Sequence, residues 1–257
     1  MKHSIYIING LLLLLILSFT SCTKTADISP SSTAFTIVNA IVGSSNLVTN
    51  FNSNGGGKIL DTLKWYNTAL QISYGSCQEI SSCSGVTPIS LSQITDTMQS
   101  VYSGTFNLPT GSIHTLFMIG TVEQPDTLFT TDHPPYHPLT DSSVGIRFVN
   151  LSPGSSPVSV DLQGQPDGSE VASLSYKAIT SFKNYAATYA VSSYIFEFRD
   201  VASGTLLSTY TMNGLNNAIG TNTATNNWRF RNVTIALKGL PGGAGSSAQG
   251  TFLVNNY

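Results

Sequence analysis

Among the residues able to do chemistry, Asp132, His133, His137 and Asp141 crowd one short stretch. Two imidazoles and two carboxylates are a donor set for zinc or another divalent ion. Their spacing, His-Pro-Pro-Tyr-His, fits no helical site, and the prolines hold the chain extended so that the donors diverge. The stretch therefore reads as a solvated linker, and no metal is assigned. Cys77 and Cys83 flank Gln78–Ser82. In an oxidising compartment they are expected to close a small disulfide loop, the alternatives being metal ligation and free thiols. Asp161 and Asp167 enclose Leu-Gln-Gly-Gln-Pro, where a solvated turn outweighs a calcium loop. Gly239–Gly245 is glycine-rich, but no helix follows to aim amides at a phosphate, so it reads as a hairpin loop. Serines are abundant, yet no Gly-x-Ser-x-Gly elbow stands at a strand–helix turn. His114 reads as structural. Tyr185, Tyr189 and Tyr194 read as β-formers, with a sugar-stacking face as the alternative. No catalytic residue and no cofactor is assigned.

The third cysteine, Cys22, has a different setting. Lys2 and His3 precede an apolar run from Ile5 to Leu17, densest over Leu11–Leu17, and Ser18, Thr20 and Ser21 lead into the thiol. A membrane-spanning helix needs about 20 apolar residues, and this run is nearer about a dozen, the size of a signal-peptide core. Followed by cysteine, it resembles a bacterial lipobox, with Phe19 where Leu is commonest. Residues 1–21 are then signal peptide. Cys22 becomes the acylated (palmitate-type) N-terminus, and 22–33 is a polar Ser/Thr/Pro tether. Each buried CH₂ of the acyl chains adds about 0.8 kcal/mol of membrane affinity. Thr23, rather than Asp, follows the cysteine and favours the outer membrane, facing the periplasm or the surface. A plain secreted protein and an uncleaved anchor are the alternatives. In that setting Asp61-Thr62-Leu63, Asp96-Thr97-Met98 and Asp126-Thr127-Leu128 resemble an envelope O-glycosylation sequon, making Thr62, Thr97 and Thr127 candidate modification sites.

The elements that carry these residues come in two sets. Thr36–Ser45 aligns without gaps on Arg147–Ser156, with Val38, Asn39, Gly43, Ser44 and Ser45 recurring at a constant offset. Thr115–Gly120 resembles Thr234–Gly239, and Leu128–Asp132 resembles Phe252–Asn256. The chain is therefore divided into 34–140 and 144–257, with Asp132–Pro138 between them. Apolar residues alternate with period two in Val158–Asp161, Phe196–Arg199 and Trp228–Arg231. Asn54-Gly55, Asp167-Gly168 and Ser203-Gly204 are turn candidates. Ser, Thr, Asn and Gly crowd the rest and disfavour helix interiors. The expectation is an all-β chain: two tandem immunoglobulin-like β-sandwiches of about six to eight short strands each, without the Cys–Trp–Cys spacing of antibody domains.

Ile146–Asp161, read as a strand ending in Asn, a Ser-Pro turn and a Val-x-Val-Asp strand, resembles the opening of the bacterial envelope domain called domain of unknown function 4397. The likeness covers both halves and is stronger in the second. In the first, Ala40-Ile41-Val42 replaces the Ser-Pro turn and Asn50 the Asp. The resemblance implies tandem Ig-like sandwiches in secreted or lipid-anchored proteins, with no catalytic residue to carry over.

Composition bounds the function. Only 9% of the 257 residues are charged and the net charge is -2, against about 25% charged in an average domain. Such a chain has no basic surface for a nucleic-acid backbone, while 41% hydrophobic residues suffice for a core. The expected function is a noncatalytic cell-envelope lipoprotein acting as a binding, adhesion or spacer module. Its partners would be the membrane through the lipid, and a glycan or an envelope protein. The alternatives are a carbohydrate-binding accessory protein in polysaccharide handling and an unrecognised hydrolase.

Overall fold

In strand β1 (Ser32–Asn39) Phe35 and Ile37 face one way and Val38 the other, and all three are buried. The same holds in β7 (Ile113–Gly120), where Leu116 and Met118 oppose Phe117 and Ile119. A strand covered on both faces carries an unbroken apolar run instead of an alternating one. These two strands pair in parallel, with Thr36 opposite Thr115. With β4 (Ser76–Cys83) and β8 (Pro125–Thr131) they make a sheet in the order β4-β1-β7-β8. The computed structural model describes residues 32–51, 71–217 and 226–256, apart from the side chain of Cys83. Cys22, Thr62 and the Asn54-Gly55 turn lie outside them.

A second sheet, β3 (Gln71–Ile72), β2 (Leu47–Asn50), β5 (Gly85–Gln93) and β6 (Asp96–Leu108), packs on the first. Between them lie Phe35, Ile37, Leu47, Leu91 and Leu116. The pattern then recurs. A third sheet has the order β12 (Lys183–Ala186), β9 (Ser143–Asn150), β15 (Asn232–Lys238), β16 (Gly250–Asn255). Its central pair is again parallel, with Arg147 opposite Thr234. The fourth sheet is β11 (Val171–Leu174), β10 (Val158–Leu162), β13 (Ser193–Asp200), β14 (Leu206–Asn213). Ile146, Phe148, Val160, Phe196 and Phe198 fill the core between the third and fourth sheets. Among the described residues the fold is thus an all-β sandwich of four four-stranded sheets.

A third apolar layer joins the two sandwiches. Val38, Ala40, Phe117 and Ile119 from the first sheet meet Val149, Leu151, Ala236, Phe252 and Val254 from the third. Ser32–Tyr257 accordingly form one compact unit of four stacked sheets.

The recurring Asn-to-Ser-Ser segment is a bracket. Asn39 donates through Nδ2 to the Ile72 carbonyl (3.0 Å) and accepts from the Ile41 amide (3.1 Å) and the Ser44 hydroxyl (3.2 Å). Asn150 does the same with Leu174 (3.1 Å), Ser152 (3.1 Å) and Ser155 (3.3 Å). Each buried amide ties the end of a central strand to the opposite sheet through β3 or β11.

Two local expectations are corrected. Trp228–Arg231 is a turn rather than a strand: Phe230 has φ 65, and the Trp228 indole donates to the Asn213 carbonyl (2.6 Å). The Cys77–Cys83 disulfide does not form. Both residues lie on one continuous strand, β4, and Cys77 is a free thiol. A strand rises about 3.3 Å per residue, so these positions stand about 20 Å apart, whereas a disulfide needs Cα atoms within about 7 Å. Cys77 packs half-buried against the layer between the sandwiches, and burial pushes its thiol pKa up.

Candidate functional site

Polar side chains that fall between the first and third sheets pair largely with one another, while Thr36 Oγ1 and Asn256 Nδ2 have no hydrogen-bond partner. Thr36 and Arg147, aligned in the two halves, sit beside Thr115 and Thr234. The Thr115 hydroxyl donates to Asp132 Oδ2, and the Thr234 hydroxyl donates to Asn256 Oδ1. The two halves therefore carry equivalent pairs, Thr115–Asp132 and Thr234–Asn256. Arg147 breaks the equivalence. Its Nε donates to Thr234 Oγ1 (2.8 Å) in its own half and its Nη1 to Asp132 Oδ1 (2.8 Å) in the other. The Arg147 and Asp132 side chains are 6% and 0% exposed. The Thr130 hydroxyl adds a further bond to Asp132 Oδ1 (2.8 Å).

This corrects the reading of Asp132–Asp141 as a solvated linker. His137 is also buried. Its Nδ1 pairs with Asp141 Oδ2 (3.0 Å) and the Ser143 hydroxyl (3.2 Å), and its Nε2 with Asn232 Oδ1 (3.1 Å). Asn232 Nδ2 donates to the Pro135 carbonyl (2.9 Å), which strings the proline segment along β15. The hydrogen bonds from His137 and then Ser143 hold the Asp141 carboxyl below the usual aspartate range. Asp132 and His137 thus serve separate networks, and of the four candidate donors only His133 is exposed, as are Tyr136, Pro138, Leu139 and Thr140. Among the described residues no group of three or more His, Cys, Asp or Glu side chains converges as a metal site would require.

Beside the Arg147–Asp132 pair a cleft of about 410 Å³ opens at the junction of the sandwiches. Its lining includes Thr130 and Thr131 from the end of β8, His133, Arg147, and Thr180 and Phe182 from the segment leading into β12. The Phe182 ring lies under the guanidinium, 4.6 Å from its carbon to the ring centroid. Nη2 of Arg147 is buried and has no hydrogen-bond partner. A lone charge in the otherwise apolar or small run Ser143–Asn150 was the sequence signal for this residue. Thr180 and Phe182 stand in a segment with no pattern of its own.

The other singled-out residues lie elsewhere. Thr97 and Thr127 are half-buried, on β6 and β8. Asp126, which precedes Thr127, is ion-paired with Lys177 (2.9 Å). Asp161 is buried; it accepts from the Gly168 amide, and Arg199 Nε lies 3.4 Å away, so a guanidinium occupies the place considered for calcium. Tyr185 is buried with its hydroxyl on Glu170, and burial and that hydrogen bond drive its pKa up. Tyr194 packs on it edge-on, 5.5 Å between centroids, leaving Tyr189 as the exposed ring of the three. His114 is structural: buried, hydrogen-bonded to Ser112 (2.7 Å) and stacked on Phe129.

No family model and no curated protein matches this chain. Among solved structures, it is similar to one described as alpha-glucan recognition by family 41 carbohydrate-binding modules from streptococcal virulence factors. The identity is 11%, the match covers 86% of this chain and 96% of that one, and the TM-score is 0.25. A likeness that loose transfers neither residues nor ligand.

Proposed function

We propose that the chain is a noncatalytic lipoprotein of the bacterial cell envelope, held at the outer membrane through Cys22, whose joined sandwiches form a stiff binding, adhesion or spacer body. This is the kind of protein that the resemblance to domain of unknown function 4397 implies. The observation that carries the reading is the apolar layer between the sandwiches, with Val38, Phe117, Val149, Ala236 and Val254 buried in it. Interfaces between domains of one chain are ordinarily polar and permit relative motion, and a well-packed apolar interface suppresses it. A body that keeps its shape at the end of a polar tether suits holding a ligand or a distance. The tether itself rests on the apolar run and Cys22.

Membrane fractionation of cells making Cys22→Ala tests the anchor. The wild-type chain is expected in the outer-membrane fraction and the variant in the soluble fraction; a variant that stays with the membrane overturns the lipid tether.

A further inference from the structure

Strand pairing fixes which residues share the end of the stack where the chain enters it. Ser32 opens β1 and its carbonyl accepts from the Gly111 amide (3.1 Å), while the Ile113 carbonyl at the start of β7 accepts from the Asp132 amide (2.8 Å). From Asp132 the proline segment crosses to Ser143, the first residue of β9, and on the way His137 bonds to Asn232, the first residue of β15. That segment therefore caps the end at which Ser32 stands. Ser32 is ten positions after Cys22. Ten residues reach at most about 33–36 Å, so an anchor at Cys22 keeps this end close to the bilayer.

The cap presents side chains that water does not favour. Tyr136 is 86% exposed and Leu139 is 90% exposed. Neither is free to fold inwards: Pro134, Pro135 and Pro138 restrict the backbone around them, and the flanking Pro135 carbonyl and His137 ring are both tied to Asn232. Tyr189, in the loop between β12 and β13, is exposed at the same end, since β12 closes by pairing Ala186 with Ser143. The Arg229 guanidinium carbon lies 5.6 Å from the Tyr189 ring centroid, and exposed Arg231 leads into β15. Among the described residues Tyr136 and Tyr189 are the only exposed Phe, Tyr or Trp. At the opposite end Ile94, Met98, Val201 and Leu206 are exposed, but beside the carboxylates of Asp96 and Glu123 rather than arginines.

Tyrosine rings with one apolar and one wet end, an outward leucine and neighbouring arginines are the chemistry of a membrane–water boundary. We propose that this end is a phospholipid-contact face. Tyr136, Leu139 and Tyr189 enter the headgroup boundary, Arg229 and Arg231 meet lipid phosphates, and the strands stand upright on the membrane with the Met98 end pointing away. The proposal rests on the reading of Cys22 as a lipid anchor and gives the anchored body an orientation.

Reconstitution of the lipidated chain in vesicles of phosphatidylethanolamine and phosphatidylglycerol with brominated acyl chains tests it, because bromine quenches tryptophan only on contact with the acyl region. Tyr136→Trp and Leu139→Trp are compared with Met98→Trp at the far end, each against the background of the chain's own two tryptophans. All three positions are exposed, so the substitutions disturb no core. The emission added at 136 and 139 is expected to be quenched and blue-shifted, and that added at 98 to be unaffected. A chain that floats with the vesicles but shows no quenching at 136 and 139, or equal quenching at all three positions, overturns the contact face and leaves the anchor standing. A chain that does not float with the vesicles overturns the anchor and the face together.

Discussion

Removing the Arg147 side chain would strand the Asp132 carboxylate in the interior with only threonine hydroxyls for partners. Arg147→Met is therefore expected to cost about 3–5 kcal/mol in urea unfolding. Asp132→Asn in the same chain should restore most of that loss, because an amide already fills the equivalent position as Asn256. A double variant no more stable than Arg147→Met alone would contradict this account. Titration gives a second residue-scale expectation. The folded-state pKa values of Asp141 and Asp200 lie below the ordinary carboxyl value, through hydrogen bonds from His137 and from Ser203 respectively. A depressed carboxyl pKa contributes stability that is present above the unfolded pKa of about 3.9 and is lost as pH falls through the folded value. Stability should thus decline below about pH 4, and Asp141→Asn should flatten that decline in acid unfolding. Such roles were half legible. Arg147 announces itself as a charge within an apolar strand. Asp132 and His137 sit among prolines, which exclude a ladder strand but say nothing about solvent, so their burial had no sequence mark.

Gly120, the last residue of β7, and Gly239, the residue after β15, show what an element needs at its edge. Both glycines have a positive φ, 84 and 90, and a Cβ would come within 2.3 Å of the Gln124 carbonyl oxygen or 2.1 Å of that of Ala248. Alanine at either site meets left-handed strain and a backbone wall together. Gly239→Ala is expected to lose more than about 1 kcal/mol and to lower the melting temperature, while Gly242→Ala, left-handed but with open space, should lose less. Equal losses would show that the wall is immaterial. Period two located β10 and β13 well, because Phe196 and Phe198 reach a core while Glu197 and Arg199 lie half-buried. The same rule failed at Trp228–Arg231, where alternation comes from a turn that points the indole back at Asn213. It was also silent on Cys77 and Cys83. Spacing alone suggests a loop between two cysteines, whereas pairing with the whole length of β1 makes that stretch straight.

Two sandwiches were legible from the repeat; their fusion into one stack was not identified. The clue is the apolar character of both faces of β1, β7, β9 and β15, interrupted at Thr36, Thr115, Arg147 and Thr234, which a lone sandwich with one wet face does not require. Placing a carboxylate in the shared layer tests how much that layer does. Ala236→Asp buries a charge without a partner, so the halves should part rather than desolvate it. Small-angle scattering should show a larger radius of gyration, with each half still β-rich by circular dichroism. An unchanged radius in a fully folded variant would show that the layer is not what holds the body together. The position of β1 also bears on force. The chain reaches the body through the N-terminal end of β1, which is held between β4 and β7 by continuous ladders on both sides. A pull applied along the strand axis would load all of those hydrogen bonds in shear at once, instead of unzipping them singly. A force applied along β1 is therefore resisted by both neighbouring strands together.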